Sequence, residues 1–334
     1  MKILSVETSC DETAVAIVED GRAILANQIL SQADMHALYG GVFPELASRA
    51  HVEAVGRLTK AALGEANLTS ADIDAIAVTN QPGLIGALLV GLSFAKGLAY
   101  AWGVPLIPVH HIHGHVAANY LAYPDLTPPF LCMVASGGHT QFWDVRDFTD
   151  LHLLGQTRDD AAGECFDKVA RVLGLPYPGG KPLDDLAQEA KPGQDMDYPL
   201  PRSKFDDHPL DMSFSGLKTA TLNIINQAKQ KGETLDLPGL TASFNRAVSD
   251  AIVPRARLGL EQLGYSKIAI AGGVAANRRV RADMETMAQQ VGATLYLPPM
   301  SLCGDNAAMI GAQGYFVYQS GVRGALGCNA RATG

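Results

Sequence analysis

Cysteine is scarce in this chain, and its five copies are scattered without any Cys-x-x-Cys pair. This usage predicts a protein of the reducing cytoplasm without a disulfide framework. Long hydrophobic runs are also missing, since no eighteen consecutive residues are apolar, and this argues against a membrane span. The N-terminus acquires its first carboxylate, Glu7, too early for a signal peptide, and residues 3–7 predict a first β-strand instead.

An excess of positive charge is absent as well, because the net charge is −8. This balance argues against a protein that coats nucleic acid, although a local basic patch or a partner can still supply positive surface. The length of 334 residues suits two lobes rather than one small core. The local candidates for a basic surface, which are equally compatible with plain solvated faces, are Lys218, Arg255, Arg257, Arg278, Arg279 and Arg281.

Histidine is concentrated in one place, with four of the nine copies between residues 110 and 115. The apolar run 104–109 predicts a strand, and residues 116–122 predict a helix. His111 and His115 are then one helical turn apart on the same face, a spacing that lets two imidazoles reach one metal ion. The alternative is a set of buried or capping histidines, although strand-to-helix junctions commonly carry sites in α/β proteins.

A zinc-protease motif does not fit these histidines. The His-Glu-x-x-His motif requires a glutamate after the first histidine as general base, and this chain has Ile112 there. A site with two histidines needs a third ligand from elsewhere. The best remaining candidate is Asp305, which precedes a predicted helix and for which a helix cap is the alternative role.

Two short polar turns divide the chain into similar halves. Residues 8–13 lie between predicted strands 3–7 and 14–18, and residues 136–140 lie between predicted strands 130–135 and 141–145. Such hairpins offer backbone N–H groups and hydroxyls to an anion. The duplication predicts an α/β protein with the two-lobed actin-like ATPase (ASKHA) fold, in which two mixed-sheet lobes enclose a nucleotide cleft.

Lobe boundaries follow from the prolines and the repeated pattern. Pro128 and Pro129 mark the boundary between a first lobe, residues 1–127, and a second lobe, residues 128–305. A C-terminal helix at about 306–334 completes the first lobe, and a polar, proline-rich helical insertion occupies about 190–238. Helix is also predicted over residues 34–70 and from about residue 219.

Taken together, these segments resemble one family, the TsaD/Gcp family of tRNA N6-adenosine threonylcarbamoyltransferases. The resemblance runs from Lys2 to about Gly327, and many ordered motifs make it specific. They are residues 6–13, 39–49, 110–115, 136–140, 161–168, 177–180, 214–218, 272–277 and 305–306.

The resemblance implies a function and roles for matched residues. The enzyme would transfer a threonylcarbamoyl group from threonylcarbamoyl-AMP to N6 of adenosine 37, next to the anticodon, in tRNAs that read codons beginning with A. His111, His115 and Asp305 would bind one divalent ion, either Fe²⁺ or Zn²⁺. As a separate mechanistic hypothesis for this reaction, Asp11 and Glu12 would orient or deprotonate the acceptor amine. The adenylate, or ATP or ADP in the same cleft, would contact Val134, Ala135, Ser136, Gly137, Gly138, Asp167, Gly180, Asp184 and Asn277.

The implied partners are tRNA, a TsaB-like paralogue and a TsaE-like P-loop ATPase, with a TsaC-type enzyme upstream and no membrane. Three departures from the family pattern stand out: Gln81 and Gly304 replace a glycine and a threonine, and the Arg-Trp-Pro ending is missing. The rival functions are an ATPase or small-molecule kinase of the same superfamily, a metalloprotease and a non-catalytic scaffold. Imidazole ligands count against a kinase, which holds Mg²⁺ through carboxylates and waters.

Overall fold

The computed structural model describes residues 1–333, which form two compact units. The first unit comprises Met1–Pro128, Asp147–Leu151 and residues 298–333, and the second comprises Pro129–Arg146 and His152–Leu297. Residues 147–151 and 298–305, which the sequence boundaries assign to the second lobe, therefore belong to the first unit. Asp305 thus lies in the same unit as His111 and His115.

The first unit is built on a five-stranded mixed sheet. Its strands β1 to β5 are Lys2–Glu7, Glu12–Glu19, Ala23–Ser31, Ala75–Gln81 and Leu106–His110. They lie in the order β3-β2-β1-β4-β5, with β2 antiparallel to β1 and β3, and with β1, β4 and β5 parallel. The carboxyl ends of the three parallel strands therefore meet at one edge, where sites form in such sheets.

The sheet of the second unit repeats this arrangement. Its strands β6 to β10 are Phe130–Ala135, Thr140–Val145, Leu151–Gln156, Lys267–Ala271 and Thr294–Tyr296. Their order, β10-β9-β6-β7-β8, matches the first sheet strand for strand, with β6 antiparallel to β7 and parallel to β9. The duplication predicted from the two polar turns is therefore present in the fold.

Helices cover both faces of the first sheet. They are α1 Ala33–Ala37, α2 Pro44–Glu65, α3 Ile85–Trp102, α4 His111–Ala122 and, near the C-terminus, α10 Ala307–Gln319. Leu4 and Val6 of β1 face a core that includes Val55 and Leu92 of α2 and α3. Ile3 packs on the other face with Ile310 of α10. The alternation of β1 side chains thus joins two buried layers.

By length and composition alone, α3 is apolar enough to cross a membrane. Ser93 and Lys96 interrupt its apolar sequence, and the Lys96 ammonium donates to the Cys328 carbonyl. Leu88 and Leu92 are fully buried in the first unit. A core helix of a soluble domain passes the same test of length and composition.

The second unit contains α5 Ala162–Val172, α6 Gly180–Ala187, α7 Ser215–Lys231, α8 Leu237–Leu263 and α9 Arg278–Val291. Three sequence expectations need correction. Helix does not run unbroken through residues 34–70, because a loop separates α1 from α2 and α2 ends at Glu65. The predicted helix start near residue 219 falls four residues late, and neither β8 nor the 27-residue α8 is anticipated.

Candidate metal centre and nucleotide-binding loops

His111, His115 and Asp305 converge at the carboxyl edge of the first sheet. One ligand atom from each lies within 4.8 Å of the others. The His115 Nε2 atom is 3.1 Å from Asp305 Oδ1, and the His111 Nε2 atom is 3.6 Å from the same oxygen. The three side chains therefore form a group that can hold a metal ion.

Local structure explains this convergence. Strand β5 ends at His110 and α4 begins at His111, so that His115 follows one turn later with its ring 4.7 Å from that of His111. The helix cap of α10 is Asn306, whose side chain accepts from the Met309 amide at 3.0 Å. The capping role considered for Asp305 thus belongs to its neighbour.

The donor set fits a metal ion better than it fits a hydrogen-bonded cluster. Both nitrogens of His115 are buried without a hydrogen-bond partner in the described structure, although Nε2 lies close to the Asp305 carboxylate. An unpaired buried nitrogen is costly unless something else binds it. The other two histidines of the motif, His110 and His113, lie outside the group and stack with ring centroids 4.4 Å apart.

Glu7, which was predicted only as the end of the first strand, is the partner that orients His111. Its Oε2 atom lies 3.0 Å from His111 Nδ1 and accepts from the Thr79 hydroxyl at 2.6 Å. The Ser9 hydroxyl also lies 3.2 Å from His111 Nδ1. A carboxylate behind a ligating imidazole fixes its tautomer and orientation. A glutamate at the end of a largely buried strand was the sequence signal for this role.

These neighbours determine the protonation states. Burial raises the pKa of Glu7, but the charge of His111 and its hydrogen bond outweigh burial and leave that pKa below its ordinary value. Burial lowers the pKa of His111, but the carboxylates of Asp305 and Glu7 raise it to about 9. Burial, with the charges of Asp305 and Asp11, raises the pKa of Glu12 to about 9. The turn with Asp11 and Glu12 is thus electrostatically coupled to Asp305.

In the second unit, the turn at residues 136–140 closes on itself. The Ser136 amide donates to the His139 carbonyl at 2.7 Å, and the His139 amide donates to the Ser136 hydroxyl at 3.2 Å. Gly137 and Gly138 are exposed at its tip, while Val134 and Ala135 are buried in β6. The exposed glycine backbone suits a phosphate group.

A second loop meets this turn at Gly272, which follows β9. A Cβ atom there would lie 2.4 Å from the Ala135 carbonyl oxygen, and its φ of +87° also favours glycine. The loop then leads to Asn277, whose side chain caps α9 by accepting from the Val280 amide at 3.0 Å. The loops predicted to bind the nucleotide are therefore neighbours at the carboxyl ends of β6 and β9.

Asp184 sits beside Asn277 and is already saturated with donors. Asn245 and Asn277 donate to its Oδ1 atom at 3.1 and 3.3 Å, and the Arg278 side chain donates to Oδ2 at 2.7 Å. Asn245 was not identified from the sequence. Asp167, in turn, accepts from the Gly179 amide at 2.7 Å, next to Gly180.

Comparison with known proteins agrees with this geometry. The family model for tRNA N6-adenosine threonylcarbamoyltransferase (TsaD) matches residues 23–312. A protein of that name from Clostridium botulinum (strain 657) is 49% identical over 330 residues, covering 99% of this chain and 96% of the relative. One from Clostridium beijerinckii is 50% identical over 329 residues, covering 98% and 96%. This chain belongs to the TsaD family.

The solved structure of HypF from T. kodakarensis supports the fold alone, with a TM-score of 0.63 and 13% identity over 96% of this chain and 48% of that one. Together with the two matching sheets, it supports the predicted fold of two similar mixed-sheet lobes for this TsaD family member.

The cations that the sequence offered for tRNA are mostly engaged within the second unit. Arg278 pairs with Asp184 and Asp185, and Arg279 pairs with Asp195 and Asp283. Arg255 is buried and donates to three backbone carbonyls. The remaining three, Lys218, Arg257 and Arg281, donate to Asp160, Glu261 and the Ala275 carbonyl. This TsaD family member therefore presents less free positive charge there than its sequence suggests.

One departure from the family pattern, Gln81, lies at an identifiable place. Gln81 ends β4 opposite His110, where the register between β4 and β5 shifts. Two residues later, a Cβ atom on Gly83 would lie 2.6 Å from the Ser9 carbonyl oxygen, so this position needs glycine. The extra bulk of Gln81 is thus accommodated at the strand end, while the close approach is kept by Gly83.

Proposed function

We propose that this chain transfers the threonylcarbamoyl group of threonylcarbamoyl-AMP to N6 of adenosine 37 in tRNAs that read codons beginning with A. The observation that carries the proposal is the convergence of His111, His115 and Asp305 in a chain of the TsaD family. The matching site motifs on the second unit support the same reaction.

The first unit would hold one divalent ion through these three side chains, with Glu7 behind His111. Two imidazoles and a carboxylate suit either iron or zinc. When bound, such an ion supplies Lewis-acid stabilisation of negative charge on the carbamoyl group. The contribution of the protein is to orient His111 through Glu7, and to hold the buried His115 beside Asp305.

The second unit would bind the adenylate. The exposed backbone of Gly137 and Gly138, beside Ser136, suits its phosphate. Its nucleoside would contact Asp167, Gly180, Asp184 and Asn277, with Val134 and Ala135 supporting the phosphate turn. Because Arg278 already donates to Asp184, the ribose hydroxyls must compete with that guanidinium for the carboxylate.

The chemical step is acyl transfer from a mixed anhydride to an amine. The N6 nitrogen forms a bond to the carbamoyl carbon, the bond from that carbon to the phosphate oxygen breaks, and AMP leaves. Because the anhydride is already activated, no covalent enzyme nucleophile is needed, and positioning supplies most of the catalysis. Asp11, or Glu12 in its ionised form, would collect the proton that N6 loses as the bond forms.

We further propose that the chain acts in the cytoplasm, where its five free cysteines remain reduced, and that it acts with other proteins. A TsaC-type enzyme would supply the adenylate, and a TsaB-like paralogue and a TsaE-like P-loop ATPase would complete the system. Such partners would also offset the net charge of −8 when tRNA binds.

Reconstitution tests the proposal. The purified chain, loaded with metal, is incubated with a TsaC-type enzyme, the two partner proteins, threonine, bicarbonate, ATP and unmodified tRNA. We expect N6-threonylcarbamoyladenosine at position 37 by nucleoside mass spectrometry, and none when this chain is omitted or the tRNA carries guanosine at position 37.

His115→Ala serves as the variant within the same assay, because it removes one ligand while leaving the second unit untouched. We expect loss of bound metal and loss of product together. Product at the wild-type level from the metal-free variant, or phosphorylation of a small molecule without tRNA, would overturn the transferase proposal and favour a kinase.

A further inference from the structure

A buried histidine holds the turn that carries Asp11 and Glu12, and the proposed reaction gives it no role. His51, on α2, contacts this turn from both sides. Its Nε2 atom donates to the Cys10 carbonyl at 3.0 Å, and its Nδ1 atom accepts from the Thr13 hydroxyl at 2.7 Å. His51 and Thr13 are completely buried. The two hydrogen bonds therefore bracket the two acidic residues.

These contacts determine the tautomer of His51. A backbone carbonyl can only accept, so Nε2 must carry the proton and Nδ1 must be the acceptor. Burial lowers the pKa of the ring, although the bond to the Cys10 carbonyl opposes this effect, and His51 is therefore neutral at neutral pH. A neutral ring with one donor and one acceptor can hold both sides of the turn at once.

Two further buried side chains fix His51. The Gln32 side-chain amide donates to His51 Nδ1 at 3.3 Å, and its carbonyl oxygen accepts from His36 Nε2 at 3.1 Å. The Phe43 amide donates to His36 Nδ1 at 3.2 Å. In this series of hydrogen bonds from Phe43 through His36 and Gln32 to His51, every donor points towards the turn. The Gln32 backbone amide also donates to the Asp11 carbonyl at 3.0 Å. Hydrogen bonds aligned in this way reinforce one another.

We propose that His51, held by Gln32 and His36, is a positioning residue that fixes the turn carrying Asp11 and Glu12 for proton transfer. It touches neither substrate nor reacting atoms in this role, and it acts through the backbone of Cys10 and the side chain of Thr13. The inference rests on the proposed function, because it assigns the turn to the acceptor amine.

A matched pair of substitutions at Thr13 isolates the contact. Thr13→Val keeps the shape of the side chain but removes the hydroxyl that donates to His51, whereas Thr13→Ser keeps the hydroxyl and removes a methyl group. If His51 merely fills space, Thr13→Val is the milder change. If it positions the turn, Thr13→Val lowers kcat by about ten- to hundredfold, since small displacements of reacting groups cost this much, and Thr13→Ser does not.

The assay measures kcat and KM for threonylcarbamoyl-AMP, bound metal and Tm for each variant. We expect an unchanged KM and full metal content, because neither binding site is altered, and the exposed neighbour Val52→Ala should behave as wild type. Equal kcat values for Thr13→Val and Thr13→Ser, or a defect confined to KM or to metal content, would overturn the inference.

A measurement on the unmodified protein keeps the test independent of variant folding. In the metal-loaded protein labelled with ¹⁵N-histidine, His51 should appear as the neutral Nε2–H tautomer, assigned by its loss in His51→Gln. A doubly protonated His51 ring, or one that carries its proton on Nδ1, would contradict the proposed hydrogen bonds to Cys10 and Thr13. An inactive wild-type chain in the full reconstitution would count against the proposed function instead, so the two failures are distinguishable.

Discussion

Glu7 and Asp305 place His111 between two carboxylates, and in the ion-free protein they hold a proton on it. Its pKa is raised to about 9, whereas a metal ligand must be neutral. Ion and proton therefore compete for the same ring. We expect the affinity for Zn²⁺ to rise by roughly tenfold per pH unit between pH 6 and 8, measured by competition with a coloured chelator.

Glu7→Gln supplies the comparison for this pH dependence. Removing one of the two carboxylates brings the pKa of His111 down, so the affinity should depend less steeply on pH. Loss of the orienting carboxylate should also weaken the metal by about ten- to a hundredfold at pH 8. Wild-type affinity that does not change between pH 6 and 8 would show that His111 is already neutral there.

The raised pKa of Glu12 makes the folded protein less stable as the pH rises. Its pKa is about 9 in the folded protein and about 4.5 in the unfolded chain. The unfolded state therefore ionises first as the pH rises above 4.5, and stability is lost progressively up to about pH 9. Glu12→Gln cannot ionise, so we expect its ion-free form to melt a few degrees above wild type at pH 8 and equally at pH 4.5. The same Tm difference at both pH values would contradict the raised pKa.

Among single residues, those whose relation to their neighbours is local in sequence could be predicted as candidate metal ligands. His111 and His115 lie one turn apart in any helix, and Asp305 precedes an obvious cap. The roles of Glu7 and His51 were not predicted because their hydrogen-bond partners are remote in sequence. Glu7 contacts Thr79 and His111, and His51 contacts Thr13. Only the assembled sheet brings these residues together.

Among the elements, α4 carries both candidate histidine ligands at its first turns and is anchored at its other end by Arg22. The guanidinium donates to the carbonyls of Tyr120, Tyr123 and Leu126, each at 3.2 Å, and lies over the Tyr120 ring at 5.1 Å from its centroid. One planar fork thus satisfies several carbonyls at and beyond the end of the helix.

Arg22→Lys keeps the charge but loses this fork. We expect about 1–3 kcal/mol lower free energy of unfolding, because buried carbonyls lose their donors. Urea unfolding measures the change, and Arg57→Lys, at an exposed position of α2, should stay within about 0.5 kcal/mol of wild type. Equal stability of the Arg22→Lys and Arg57→Lys proteins would mean that the end of α4 needs no such anchor.

The elements that sequence patterns missed are those whose local signals are weak. Pro238 and Gly239 suggest a loop, but both lie in the first turn of α8, where proline is tolerated, and Pro254 lies within the same helix. Strand β8 is at the edge of its sheet and mostly exposed, so it lacks an apolar pattern. Burial against neighbouring elements determines α8, whereas backbone pairing with β7 determines β8.

At the scale of the whole molecule, the repeated sheet order was predictable because each half begins with the same strand, polar turn and strand. Because this repeat relates two segments to each other, it does not depend on predicting every helix and strand correctly. The failure to predict β8 and α8 therefore did not change the predicted fold. The assignment of residues 298–305 was missed because the boundary was placed at the start of the C-terminal helix, whereas Leu302 in the preceding loop already packs in the core of the first unit. Since α10 packs on β1 of the first sheet, Asp305 accompanies it.

The charge of the whole molecule is unfavourable for binding tRNA. The chain carries a net charge of −8, and the six cations considered for tRNA donate to carboxylates or carbonyls within the second unit. Few of these groups are available for phosphates, and each phosphate contact adds to the salt dependence of binding. We expect the chain alone to bind tRNA weakly, with a shallow slope of log affinity against log salt in filter-binding titrations.

Adding the TsaB-like and TsaE-like partners should tighten binding and steepen that slope, since their cations would then contact the tRNA backbone. Tight, steeply salt-dependent binding by the chain alone would instead require a basic surface on its first unit.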